Sequence, residues 1–158
     1  MARRTREERE AWLDELEKRQ SGMRMWSDAS GMFEAAMALR RDNEQGHLFV
    51  RYRLLTHAAE SACKGVLRAT GSSVRDLRDY GHRVVEVYDE AVRRGMPSCI
   101  GQMDYVRFNR LAEYYEDTLL RYSAVGAYPG LSSEPKWLEK VIEKLLVESL
   151  VFCRKHVS

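Results

Sequence analysis

Residues 56–69 read THAAESACKGVLRA, and this stretch decides the fold. Ala58, Ala62, Gly65 and Ala69 recur at spacings of three and four, so on an α-helix they line one face, and none carries more than a methyl group. A face that small lets a neighbouring helix approach closely. On the same helix Glu60 precedes Lys64 by four residues, the favoured order for a helical ion pair. The reading is the central helix of a bundle, running from about Leu48 to Thr70 and closed by Gly71.

Outward from this helix, apolar residues keep helical spacing in both directions. Upstream, Ser27 is a candidate N-cap for a helix from about Asp28 to Asn43, with Ala29, Met32, Phe33, Ala36, Met37 and Arg40 marking its turns. Before that, Thr5 and Glu8 suggest a capping box opening a helix to about Gln20, with Trp12, Leu13 and Leu16 as a narrow stripe and Trp12 as the docking residue. Ser21-Gly22 ends it. Downstream, 72–81 is a polar connector expected at the surface with room for a helical turn, and a helix begins near His82 and ends at Arg93-Arg94-Gly95. Tyr105, Phe108, Leu111, Tyr115, Leu119 and Tyr122 mark a helix over about Ile100 to Tyr122, and that stripe reads as core. Ser133 and Pro135 suit the start of a last helix reaching about His156. No segment alternates as a strand does, and no internal repeat is present. The fold class is all-α: a four- to five-helix bundle over residues 23–158 with an additional N-terminal helix over 1–22.

Composition bounds the function without naming it. The 158 residues carry 26 Lys and Arg against 24 Asp and Glu, a net of +2, so any basic site is local. Arginine is the commoner cation, which suits phosphate recognition and is also what a GC-rich genome produces. The three cysteines, Cys63, Cys99 and Cys153, have neither even number nor metal-ligand spacing, so no disulfide and no metal site is inferred, and a reducing cytoplasm fits. The start, MARRTREERE, is too polar for a signal peptide and no run has the length of a membrane span, which makes a cytoplasmic protein the expectation.

With the helices placed, the order of features resembles HEPN domains, the higher eukaryotes and prokaryotes nucleotide-binding superfamily. Trp26-Ser27-Asp28-Ala29 and Ala35-Ala36-Met37-Ala38-Leu39 resemble its first helix. Ala59-Glu60-Ser61-Ala62-Cys63-Lys64-Gly65-Val66-Leu67 resembles its A-x-E-x-A-x-K helix, Gly81-His82 its Gly-His turn, and Arg121-Tyr122 with Tyr128-Pro129, separated here, its Arg-Tyr-Pro segment. The resemblance covers about Met23 to His156. It implies a bundle of four or five helices, a homodimer, nucleotide or RNA binding, and a place in a toxin-antitoxin or defence system beside a nucleotidyltransferase-like partner; other members are metal-independent ribonucleases.

Catalytic members carry Arg-x4–6-His, in which arginine balances phosphate charge and histidine moves a proton while the ribose 2′-hydroxyl attacks, so no metal or other cofactor is needed. Arg51/His57, Arg75/His82, Arg41/His47 and Arg40/His47 all have that spacing, an abundance close to what chance gives in an arginine-rich chain. Arg75/His82 is the first choice, because His82 opens a helix whose free N–H groups also attract anions. For nucleotide or RNA binding the candidates are Lys64, Arg75, Arg78, His82, Arg83 and Arg121. Three of the residues considered have plainer readings: His82 as a polar cap, His57 as an interhelical hydrogen-bonding residue, Lys64 as the partner of Glu60. The leading function is a nucleotide- or RNA-binding module; the alternatives are a metal-independent endoribonuclease and a helical protein-interaction subunit without nucleic-acid binding.

Overall fold

The computed structural model describes residues 5–41, 48–116 and 135–156. Among them the backbone is all-α, with no strand: α1 (Arg6–Arg19), α2 (Gly22–Arg41), α3 (Leu48–Ala69), α4 (Val74–Asp79), α5 (Val84–Arg93), α6 (Gln102–Glu116) and α7 (Lys136–Lys155). The central position expected for α3 is observed. It packs against α2, α5 and α7 and buries Tyr52, Leu55, Ala58, Ala59, Ala62, Cys63, Val66 and Leu67, so apolar contact surrounds it rather than lining one stripe.

The small-residue face works as the sequence implies, and its partner is the start of α2. A Cβ on Gly65 would lie 2.8 Å from the Gly22 carbonyl oxygen, and one on Gly22 would lie 2.5 Å from the Gly65 carbonyl oxygen, so the two backbones meet where only glycine fits. Gly65→Ala should therefore push α2 from α3 and lower stability by about 1–3 kcal/mol. Gly31→Ala, inside α2 with no described residue within 4 Å of the added carbon, should instead stabilise by about 0.5–1 kcal/mol. Paired urea melts check the opposite signs.

Gly22 thus opens α2 instead of ending α1. The helix starts six residues before the expected Asp28, because the Ser21 hydroxyl accepts from the Arg24 N–H at 3.1 Å and the Ser21 carbonyl from Met25 N–H at 3.1 Å. Ser27, expected as the cap, is an exposed residue within the helix. Starting earlier brings Trp26 onto the helix, where its indole N–H donates to the Leu146 carbonyl on α7 at 2.8 Å.

The N-terminal helix has the expected Thr5/Glu8 capping box, but its docking differs. Leu13 is the buried residue and Trp12 stays 40% exposed. Much of the attachment comes from Arg68 on α3, which donates to the Glu17 and Gln20 carbonyls at 2.9 and 2.8 Å and pairs with the Glu17 carboxylate at 2.5 Å. One guanidinium thereby satisfies carbonyls left open at the end of α1. Glu17 also accepts from the Val74 N–H at 2.7 Å, joining α1 to α4.

The connector is less exposed than expected. Ser73 and Asp76 form a capping box for α4, which buries Val74 and Leu77 while Arg75, Arg78 and Asp79 remain outside. The next helix starts at Val84, two residues after His82, with Arg83 as its N-cap residue. At its other end Arg94 pairs with Glu90 at 2.7 Å and reaches back to the Thr70 and Ser72 hydroxyls at 3.0 and 2.9 Å, closing the end of α3. On α6, Phe108, Leu111 and Tyr115 are core as expected, while Leu119, Tyr122 and Ser133 lie outside the described residues. Pro135 is the N-cap residue of α7. Cys63 and Cys153 are buried free thiols and Cys99 is partly buried. Among the described residues no helix is long and apolar enough to cross a membrane.

Candidate functional site

Glu60 is the residue around which the site is built. It is 3% exposed on α3, and a carboxylate so placed needs hydrogen-bond donors on both oxygens. Oε1 accepts from the Lys64 ammonium at 2.7 Å, one turn along the same helix. Oε2 accepts from the Tyr115 hydroxyl of α6 at 2.8 Å and lies 3.1 Å from Nδ1 of His82 in the turn before α5. Three segments far apart in sequence therefore converge on one carboxylate.

The remaining donors tie the turn down. Lys64 also donates to the Gly81 carbonyl at 2.6 Å, and Gly81 has φ of +57°, a conformation that favours glycine. The same ammonium thus fixes the carboxylate and the backbone carrying His82. The His82 ring stands edge-on to Tyr115, with centroids 5.6 Å apart and planes at 86°. Burial pushes the Glu60 carboxyl upward, but the Lys64 charge and the hydrogen bonds from Lys64, His82 and Tyr115 outweigh it and hold it below 4.5.

An ionised carboxylate only accepts hydrogen bonds, so Nδ1 of His82 carries the proton facing Glu60. Nε2 is then the acceptor in the neutral ring. The side chain is 45% exposed, which leaves the imidazole anchored at one nitrogen and open to solvent at its outer part. A carboxylate that orients imidazole is the arrangement by which a histidine becomes a positioned base.

His57 belongs to the neighbourhood by charge. Burial lowers its pKa from 6.5, and His82, Lys64 and Arg53 lower it further against the opposing pull of Glu60. With Ser61 and Lys64 it borders a groove of about 560 Å³ against Asp28, Gly31 and Met32 of α2. Arg51, its proposed partner by spacing, faces elsewhere: it is buried in an ion pair with Glu139 at the start of α7. His47, and with it the two pairs to Arg40 and Arg41, lies outside the described residues.

Among the sequence candidates, Lys64 and His82 come together through Glu60. Arg75 turns to α1, where it lies 3.7 Å from Asp14. Arg78 is exposed on the same short helix. Arg83 donates to the Tyr80 and Asp79 carbonyls at 3.0 and 2.6 Å and to Glu86 at 2.7 Å, so it secures the turn as well as bearing charge. Arg121 lies outside the described residues. Tyr115 is the site residue that sequence reasoning missed: its place in the α6 stripe explains its burial, but nothing in the spacing says that its hydroxyl meets a carboxylate 55 residues away. Among the described residues no cluster of His, Cys, Asp and Glu could hold a metal ion.

No protein-family model matches the chain, no curated protein matches it, and no solved structure matches it.

Proposed function

We propose that this chain is a HEPN-like helical module that binds the phosphates of RNA or nucleotide where α3, the Gly81-His82 turn and α6 meet. The observation that carries the reading is the Gly81-His82 turn: His82 is anchored there through Nδ1 to buried Glu60 with its outer part exposed, and Arg83 beside it presents guanidinium N–H groups from which phosphate oxygens accept. Lys64 acts in this reading as a positioning residue, because its ammonium is engaged by Glu60 and Gly81 and its side chain is only 14% exposed. By the resemblance, the module works as a homodimer beside a nucleotidyltransferase-like partner in a toxin-antitoxin or defence system. Filter binding of a labelled structured RNA tests the reading. The logarithm of affinity should fall linearly with the logarithm of salt, and His82→Ala with Arg83→Gln should weaken it about tenfold. Salt-independent binding, or binding indifferent to both changes, would overturn it.

The orientation of His82 also favours a second reading, metal-independent RNA cleavage. Nε2 is the nitrogen free to take the proton from a ribose 2′-hydroxyl as that oxygen attacks the adjacent phosphorus and the 5′-oxygen departs, leaving a cyclic phosphate. An arginine would balance the charge gathered on the phosphate, and the departing 5′-oxygen would take up a proton. Arg75 was the first choice by spacing, yet its present partner is Asp14. Arg83 and Arg78, both exposed in or beside the turn, are the nearer candidates in sequence to His82.

A further inference from the structure

The N-terminal helix lies outside the span that resembles a known domain, and it builds a basic cleft with α4. Arg6, Arg9, Glu10 and Leu13 of α1 face Arg75, Arg78 and Asp79 of α4 across a groove of about 850 Å³. Among the described residues, four guanidiniums against two carboxylates leave a surplus of two positive charges on the lining. The carboxylates do not neutralise the arginines evenly. Arg6 lies 3.3 Å from Glu10 and Arg75 lies 3.7 Å from Asp14 just outside the cleft, whereas Arg9 and Arg78 make no side-chain hydrogen bond or ion pair among the described residues. Two uncommitted guanidiniums on opposite walls of one cleft leave charge that neither stabilises α1 nor joins it to α4.

We infer that this cleft is a second phosphate-binding surface, taking the backbone of a single-stranded RNA, with Arg9 and Arg78 as its principal contacts and Arg6 and Arg75 as flanking ones. Arginine's planar fork matches phosphate oxygens bidentately, which favours a phosphodiester ligand over a point contact. Among the described residues Leu13 is the one apolar side chain on the lining and none there carries an aromatic ring, so these residues offer no platform for stacking bases. It reads backbone charge and shows little sequence preference. This role explains why α4, only six residues long, carries its arginines outward while Val74 and Leu77 are buried. It rests on the phosphate-binding reading and adds α1 to it: RNA held in the cleft continues from the turn bearing His82.

Fluorescence anisotropy with labelled oligouridylate, titrated over a range of salt, tests the inference on the full chain. Arg9→Gln with Arg78→Gln removes two contacts from exposed positions, and should weaken binding roughly tenfold and flatten the slope of log affinity against log salt by about 1.4. Arg9→Lys with Arg78→Lys keeps both charges and should retain the slope. Circular dichroism melts should be the same for all three proteins. If the wild type binds but the glutamine pair leaves affinity and slope unchanged, the cleft is overturned while the phosphate-binding function stands. If the wild type shows no salt-dependent binding, both fall. Tighter binding of an oligoglutamate than of the RNA, lost in the glutamine pair, would overturn the ligand class and assign the cleft to an acidic protein segment.

Discussion

Glu60→Ala is expected to lose about 3–5 kcal/mol of unfolding free energy, a large share of the roughly 5–15 kcal/mol a domain holds in reserve. The cost arises less from the lost carboxylate than from what it leaves behind: a Lys64 ammonium, its side chain only 14% exposed, that keeps the Gly81 carbonyl but loses its counter-charge, and a buried Tyr115 hydroxyl that loses the carboxylate it donates to. Glu60→Gln keeps the shape and an amide oxygen that can accept, so it should cost less while still releasing His82. Acid should reproduce part of the effect in the wild type. Because the folded Glu60 carboxyl is held below 4.5, its contribution is complete above that value and is lost as pH falls through the lower folded one. His57, depressed by burial, adds an earlier limb: the unfolded ring takes a proton near 6.5 and the folded ring resists, so stability declines from there downward. Urea midpoints across pH should show both limbs in the wild type. In Glu60→Ala the lower one should be gone and the His57 limb deeper, since Glu60 no longer offsets the neighbouring cations. An unchanged acid limb would mean that Glu60 is not the group titrating.

The second large effect belongs to Arg51, whose guanidinium pairs with Glu139 between α3 and α7 with side chains 10% and 8% exposed. Arg51→Ala should cost about 3–5 kcal/mol, because Glu139 keeps its buried charge and loses the guanidinium paired with it. The pair is not for that reason a net source of stability. Desolvating two charges offsets most of their attraction, and the Nε of Arg51 is buried with no hydrogen-bond partner among the described residues. Replacing both, as Arg51→Met with Glu139→Leu, should be milder than either truncation alone and within about 1–2 kcal/mol of the wild type. A double variant as unstable as the sum of the singles would show that the two residues act independently.

How much was legible in the sequence follows from the range of the physics. The α3 helix was readable throughout, since its small residues and the Glu60/Lys64 pair are local features repeated every turn. The start of α2 was misread because Ser21-Gly22 is a helix-ending signature in most contexts; here Gly22 is required by the approach of Gly65, a contact 43 residues away that no local pattern contains. Trp12, one of a stripe with Leu13 and Leu16, was read as the docking residue, whereas Leu13 is the one buried and Arg68 from α3 sets the pose of α1 through the end of that helix. Of the site, Lys64 and His82 were found singly. Their convergence on Glu60, and the part of Tyr115, required tertiary structure, because a buried carboxylate announces its partners only by the donors that surround it.

Incubation of an end-labelled structured RNA with the wild type and with His82→Ala, in chelator and resolved on native and denaturing gels, tests the central proposal most directly. The account predicts a salt-sensitive complex with the wild type that weakens in His82→Ala, by less than the roughly tenfold expected when Arg83→Gln is added, and any chelator-resistant cleavage confined to the wild type. Equal, salt-sensitive binding by both proteins with no cleavage would contradict a site centred on His82, and absence of binding by either would contradict phosphate recognition altogether.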